Sequence, residues 1–414
     1  MNKLSKSINN ALKPSVLTHI LICEVWGIAL LDYSRAVVLR LPFIDFLAPV
    51  IVHLIILSTT VLSFSNWSKK IRGTDWLFII CFASFFIISW ALHSNNLMYE
   101  EYWAIFLFAA LPTYIIGVIF DIKGIEKPLL YISLLAILAQ GAISLFFQQE
   151  EMGTMADNEI AEQMNTSYKV LPYTLYLILY LFKKFNLLAL LGAGFGTLLM
   201  LSYGTRGPIV CLVFFIGMSI LFSQKSKYRF LIILVLSVVG YFIISNLMAI
   251  SMFMMDFLSQ LGMSNRIFSF VVNDNIAHYS GRDDILQQGF KALETAPFFG
   301  YGLGGSWVTL KNYSHNIALD ILTSFGYFIG SIILFSLFSL FVLTFFRVRK
   351  NSEQRNLFFL LLSCGFVKYF MSAYVLGGPY FFMLLGFCVG RLRGVSLEKK
   401  AVVNPSLRNE GQHN

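Results

Sequence analysis

Charge is what this sequence has least of. Only 13% of its 414 residues are Asp, Glu, Lys or Arg, against roughly 25% in a soluble globular domain. Cysteine is also scarce. The five present (Cys23, Cys81, Cys211, Cys364, Cys388) all sit inside apolar blocks, and none forms a CxxC pair. That excludes a thiolate metal site and a disulfide framework, and leaves them as small buried hydrophobes. No repeat of fixed period and no low-complexity tract appears.

Apolar residues make up 57% of the chain, 41 of them Phe, and the mean hydropathy is +0.71. They come in blocks of roughly 17 to 22, the length that crosses a hydrocarbon core as a helix. Blocks fall near 16–31, 43–64, 76–92, 102–120, 128–147, 169–182, 187–203, 207–222, 230–250, 316–345, 356–376 and 379–391. The expected fold is all-α: a polytopic transmembrane helix bundle of about twelve spans. The first block lacks a small-residue cleavage site after it and reads as a retained helix, not a removed signal.

The net charge of +9 lies in alternate short loops and so excludes a nucleic-acid footprint. Lys69, Lys70 and Arg72 share one face with Lys123 and Lys127, Lys183 and Lys184, Lys225, Lys227 and Arg229, and Arg347 to Arg355. The positive-inside rule makes that face cytoplasmic, together with both termini. The opposite face carries Glu100 and Glu101, an acidic loop from Glu150 to Glu162, and a long loop over 251–315. The segment 396–414 reads as a disordered cytoplasmic tail. Residues 1–414 then form one integral membrane domain in a plasma membrane.

Few arginines lie on the outer face: Arg35, Arg40, Arg206, Arg266 and Arg282. An arginine kept where topology disfavours it is either a snorkelling interfacial residue or a functional one. Ser280-Gly281-Arg282-Asp283 opens a helical pattern, with Ser280 and Asp283 as a capping box. Ile285, Leu286, Phe290 and Leu293 then share one face, and Pro297 stops the run. This predicts an amphipathic helix near 281–295 at the membrane surface. Arg282 sits in its first turn, where unpaired N–H groups and the positive helix end favour an anion. It serves there as a phosphate fork or as a salt-bridge partner of Asp283 or Asp284. Thr205-Arg206-Gly207-Pro208 repeats the pattern, with Pro208 suited to the first helical position. An ordinary hairpin turn is the alternative.

His315 precedes Asn316 at the next helix start, with Ser314 as a possible cap. Its pKa range suits it to take a proton from a hydroxyl near neutral pH, though a hydrogen-bonded surface His is the commoner use. Between Arg282 and His315, the run Phe299-Gly300-Tyr301-Gly302-Leu303-Gly304-Gly305 has no preceding strand, so it is no dinucleotide fingerprint. Its glycines permit a tight loop against a ligand. Tyr301, Trp307 and Tyr313 suit either stacking on sugar rings or an aromatic belt at the interface. Glu24 and Lys368 are charges within spans, expected to face the bundle interior and able to pair with each other.

These residues in this order resemble the O-antigen polymerase and O-antigen ligase family (the Wzy and WaaL type). The resemblance is carried by Ser280 to Asp283, Pro297 to Gly302, His315-Asn316, Gly326 and Gly330, and by the earlier Thr205-Arg206-Gly207 turn. It covers about the second half of the chain. It implies a GT-C-like bacterial inner-membrane glycosyltransferase using an undecaprenyl-diphosphate-linked glycan at the outer face, with no metal and no cofactor. Carried over by position, Arg206 and Arg282 bind the diphosphate and His315 lies by the acceptor hydroxyl. Gly300, Tyr301, Gly302 and Asn316 complete the substrate site, and a chain-length regulator is a possible partner. Chain growth by a polymerase is the leading expectation. Transfer to lipid A–core by a ligase is the alternative, and a lipid-linked glycan transporter is a reading of another class.

Overall fold

A computed structural model describes residues 14–26, 54–55, 58–92, 110–147, 157–202, 205–223, 238, 241–242, 245–260, 268–269, 272, 282–296, 298–310, 314–371 and 378–394. Outside them lie Arg35, Arg40, Glu100, Glu101, Arg266, Ser280, Gly281, Tyr313, most of the spans expected at 43–64 and 230–250, and the segment 396–414. Among the described residues every regular element is a helix.

In chain order these are α1 (Pro14–Trp26), α2 (Phe64–Trp67), α3 (Gly73–Leu92), α4 (Leu111–Ile119), α5 (Glu126–Phe147), α6 (Asp157–Lys183), α7 (Leu187–Ser202), α8 (Arg206–Leu221), α9 (Leu247–Gln260), α10 (Arg282–Glu294), α11 (Gly305–Leu310), α12 (Ile317–Val348), α13 (Ser352–Gly365) and α14 (Pro379–Leu392), with a 3-10 turn at Val367–Phe370 between the last two. Among the described residues, only α12, at 32 residues, is long and apolar enough by itself to cross a membrane. It is broken at Gly326, and its continuous part, 327–348, rises about 33 Å, against a hydrocarbon core of about 30 Å. Several shorter helices are also apolar, among them α7, α8, α9 and α14. The acidic stretch expected as loop is in part helix: Asp157, Glu159 and Glu162 lie on α6. Acidic residues are favourable in the first turns of a helix, so polarity there does not break it.

Close packing of the bundle rests on glycine. A Cβ on Gly117 of α4 would fall 2.1 Å from the Met383 carbonyl oxygen of α14. Gly386 and Gly390 of α14 would meet the Tyr114 and Val118 carbonyls at 2.0 and 2.3 Å. Backbones that approach this closely tolerate only small residues at the contact. Trp26 of α1 locks the centre, donating to Ser133 at 3.1 Å and packing on Phe120, Tyr173, Tyr176 and Tyr380. The polar groups Asp75, Ser133, Gln140, Asp320, Arg355 and Arg391 are buried. The outward face of α12 instead carries Tyr327, Phe328, Phe335 and Phe338, and α3, α5 and α7 present Leu77, Leu135 and Leu191. Phe335 is 73% exposed. Apolar surface on this scale needs a non-aqueous cover.

One end of the bundle is tied by charge. Lys183 of α6 pairs with Glu126 of α5 and, at 3.2 Å, with Glu353 of α13. Arg393 forks onto Asp75, with one arm at 2.6 Å, and Tyr114 donates to the same carboxylate at 2.9 Å. Glu24 and Lys368 are not brought together. Glu24 accepts from Thr59 at 3.0 Å, while the Lys368 ammonium lies over the rings of Tyr168 and Tyr369.

Candidate functional site

Arg206 opens α8. Phe222, just after α8, packs on Phe345 of α12 and Phe359 of α13. The C-terminal ends of α8 and α12 therefore meet, and the N-terminus of α8 points away from the Lys183–Glu126–Glu353 cluster. Sixteen residues of α8 rise about 24 Å. Helix α12 is kinked at Gly326 (φ 74, ψ 165).

The kink explains the glycine run. A break at Gly326 frees helix carbonyls, and freed carbonyls need new donors. The loop supplies them: Tyr301 N–H donates to Thr323 O at 2.9 Å and Gly302 N–H to Ser324 O at 3.0 Å. Gly300, Gly302 and Gly304 all take positive φ. A Cβ on Gly300 would sit 2.4 Å from Gly326 N, and one on Gly326 would sit 2.1 Å from Phe298 O. No other residue type fits this crossing. Tyr301 also reaches back to α10, donating to Ala292 O at 3.2 Å and lying 3.1 Å from the Thr295 hydroxyl. Gly289 of α10 lies against Leu319. Thus α10, α11, the glycine loop and the first turns of α12 form one packed unit, and Arg282 is the first residue of α10.

His315 stands at the junction of that unit. Its φ is +54, the single positive φ outside glycine among the described residues. A non-glycine residue held there costs about 1–3 kcal/mol and needs its surroundings to impose it. The flanking residues do so. Asn316 is the N-cap of α12, its side chain accepting from Ala318 N–H and Leu319 N–H at 2.9 and 3.3 Å. Ser314, expected as the cap, lies two residues earlier. Its hydroxyl is 2.7 Å from Asp320 Oδ1, and its N–H donates there at 3.4 Å. Ser306 of α11, Ser314 and Asp320 are all buried. The sequence reading missed Asp320, although an acidic residue in the first turn of an apolar span was its signal.

Arg206 is exposed, at the first position of α8, and Thr205 is the N-cap. Pro208 takes the third position, not the first; its missing N–H costs nothing anywhere in that turn. The Thr205 hydroxyl makes no capping bond. Gly207 is packed tightly: a Cβ there would fall 1.7 Å from the Tyr168 hydroxyl and 3.0 Å from Met371 Cβ. Among the described residues no cluster of His, Cys, Asp or Glu could hold a metal ion.

No family model matches the chain, and no solved structure does. A curated protein of Acinetobacter baylyi (strain ATCC 33305 / BD413 / ADP1), a ComP-specific O-oligosaccharyltransferase, is 31% identical over 138 residues. The match covers 30% of this chain and 24% of that protein. Over that stretch the chain is similar to an enzyme that transfers an oligosaccharide.

Proposed function

We propose that this chain is a multi-pass membrane glycosyltransferase that moves a glycan from undecaprenyl diphosphate to an acceptor hydroxyl. The strained backbone of His315 carries the reading. An imidazole fixed at φ +54 by a buried carboxylate on one side and a helix cap on the other is a side chain held for use. The oligosaccharyltransferase relative and the motif resemblance support it. The outward apolar faces, with polar groups inside, support a lipid surrounding and the twelve-span topology.

In the mechanism, the acceptor oxygen attacks the anomeric carbon and the carbon–oxygen bond to the diphosphate breaks. Undecaprenyl diphosphate leaves with the electron pair. His315 takes the acceptor proton, a contribution of about 10²–10⁴-fold. Arg206 and Arg282 neutralise the charge growing on the diphosphate, the larger effect. Gly300, Tyr301, Gly302 and Asn316 fix the loop and the cap that hold His315 beside the reacting sugar.

Two acceptor classes separate the readings. The relative is named for oligosaccharide transfer to a specific partner, which favours ligase-like transfer of a finished glycan over chain growth by a polymerase. Glycan profiling of a deletion strain tests this. A lost ligase leaves bare lipid A–core, and a lost protein glycosylator leaves lipid A–core intact with one protein stripped of glycan. Core capped by a single repeat unit would identify a polymerase instead. Product formation by purified protein in detergent, without a membrane gradient, rules out a transporter.

A further inference from the structure

Lys368 has no role in the mechanism above, yet its surroundings are those of an anion site. It lies in the 3-10 turn between α13 and α14. Its ammonium is 5.0 Å from the Tyr168 ring centre and 5.6 Å from that of Tyr369. Protein atoms enclose the ammonium, although the residue as a whole is only partly buried. The titratable groups that act on it are Cys364, Cys211 and a second cation, Lys169. No carboxylate reaches it among the described residues. An interior ammonium without a carboxylate is costly unless an anion arrives from outside.

The N-terminus of α8 lies alongside. Tyr168, under the Lys368 ammonium, touches Gly207 with its hydroxyl, and Met371, three residues beyond Lys368, touches Gly207 too. Thr205, which caps α8, is 5% exposed, and its hydroxyl has no hydrogen-bond partner. The first-turn N–H groups of α8 receive no side-chain cap. A buried hydroxyl, an uncapped helix end and an interior ammonium therefore converge around Gly207, each lacking the same kind of partner.

We propose that Lys368 is a further cation of the diphosphate site, binding the diphosphate of a polyprenyl diphosphate together with the α8 N-terminus and Thr205. The inference rests on the glycan-transfer reading and names how that site holds its lipid carrier. Arg206 then grips the diphosphate from the exposed side of the helix end and Lys368 from the enclosed side. Tyr168 and Tyr369 hold the ammonium while the site is empty, through their ring faces.

The test measures thermal stabilisation of the detergent-purified full chain by undecaprenyl diphosphate, by phosphatidylglycerol and by inorganic pyrophosphate. The chains compared are the wild type, Lys368→Met and Lys368→Arg. Lys368→Met is expected to raise the half-saturating concentration of undecaprenyl diphosphate by about tenfold or more, and Lys368→Arg by less than about threefold. Phosphatidylglycerol should give no shift that depends on Lys368, and pyrophosphate a weaker one with the same dependence. Equal binding by wild type and Lys368→Met overturns the proposal and leaves the transferase reading standing. An equal Lys368 dependence with phosphatidylglycerol also overturns it, in favour of a general lipid site. A wild type that undecaprenyl diphosphate does not stabilise removes the transferase reading as well. Should Lys368→Met not fold, Lys368→Gln takes its place. If neither gives monodisperse protein, the lysine is structural and the proposal fails.

Discussion

The carboxylate of Asp320 holds the Ser314 hydroxyl at 2.7 Å, across the turn that carries His315. One buried acid thus fixes the residue before the imidazole, from a position one helical turn after the cap. Replacing Asp320 with Ala leaves the Ser314 hydroxyl and N–H buried without that acceptor. Leaving a buried donor without its acceptor costs about 1–3 kcal/mol. Transfer should fall at least tenfold while Tm drops by only a few degrees. Asp320→Asn, which keeps an acceptor oxygen, should retain more activity than Asp320→Ala. Equal losses in the two variants, measured as initial rate and Tm, would contradict a positioning role.

Gly326 should tolerate nothing else. Its φ of 74 and ψ of 165 lie in a region essentially reserved for glycine. A methyl group there would press on Phe298 O at 2.1 Å. Gly326→Ala should cost about 2–4 kcal/mol from strain and overlap combined. It should also undo the Tyr301–Thr323 and Gly302–Ser324 hydrogen bonds, with transfer lost in parallel. Limited proteolysis between α10 and α12 reads the opening of that loop.

A matched glycine pair tests the packing of the bundle. Gly386→Ala puts a methyl 2.0 Å from Tyr114 O, whereas nothing lies within 4 Å of a Cβ on Gly194. Gly386→Ala should lower stability by about 1–3 kcal/mol. Gly194→Ala, mid-helix in α7, should raise it by about 0.5–1 kcal/mol. Thermal unfolding in detergent separates the two, and similar effects at both sites would refute the close α4–α14 crossing.

The apolar blocks and the turn residues were legible in the sequence because they follow local rules. Helices α3, α5, α7, α8, α12 and α14 begin or end within a few residues of the hydropathy pattern. Glycines around 300–304 signalled a tight loop. What the loop closes on was not legible, since the kink at Gly326 pairs residues more than twenty positions apart in the chain. The twelve-span count goes beyond the single helix that, among the described residues, is long enough to span alone. The 3-10 turn at Val367–Phe370 interrupts what reads as one continuous apolar run. Hydropathy reports burial in lipid or protein and is blind to such breaks. Lys368 stood out in the sequence as a charge within a span and Asp320 did not, and the neighbours of both became known only from the fold: two aromatic rings for one, a hydroxyl for the other.

The central claim concerns three side chains. Purified wild type, Arg206→Ala, Arg282→Ala, His315→Ala and His315→Gly should be incubated with an undecaprenyl-diphosphate-linked oligosaccharide and a hydroxyl acceptor, with released undecaprenyl diphosphate as the readout. The account predicts that all four variants insert and fold but lose transfer by at least about 10²-fold. His315→Gly should also gain stability, by up to about 1–3 kcal/mol, because the left-handed strain is relieved. Transfer at wild-type rate by His315→Gly, or by both arginine variants, would contradict it.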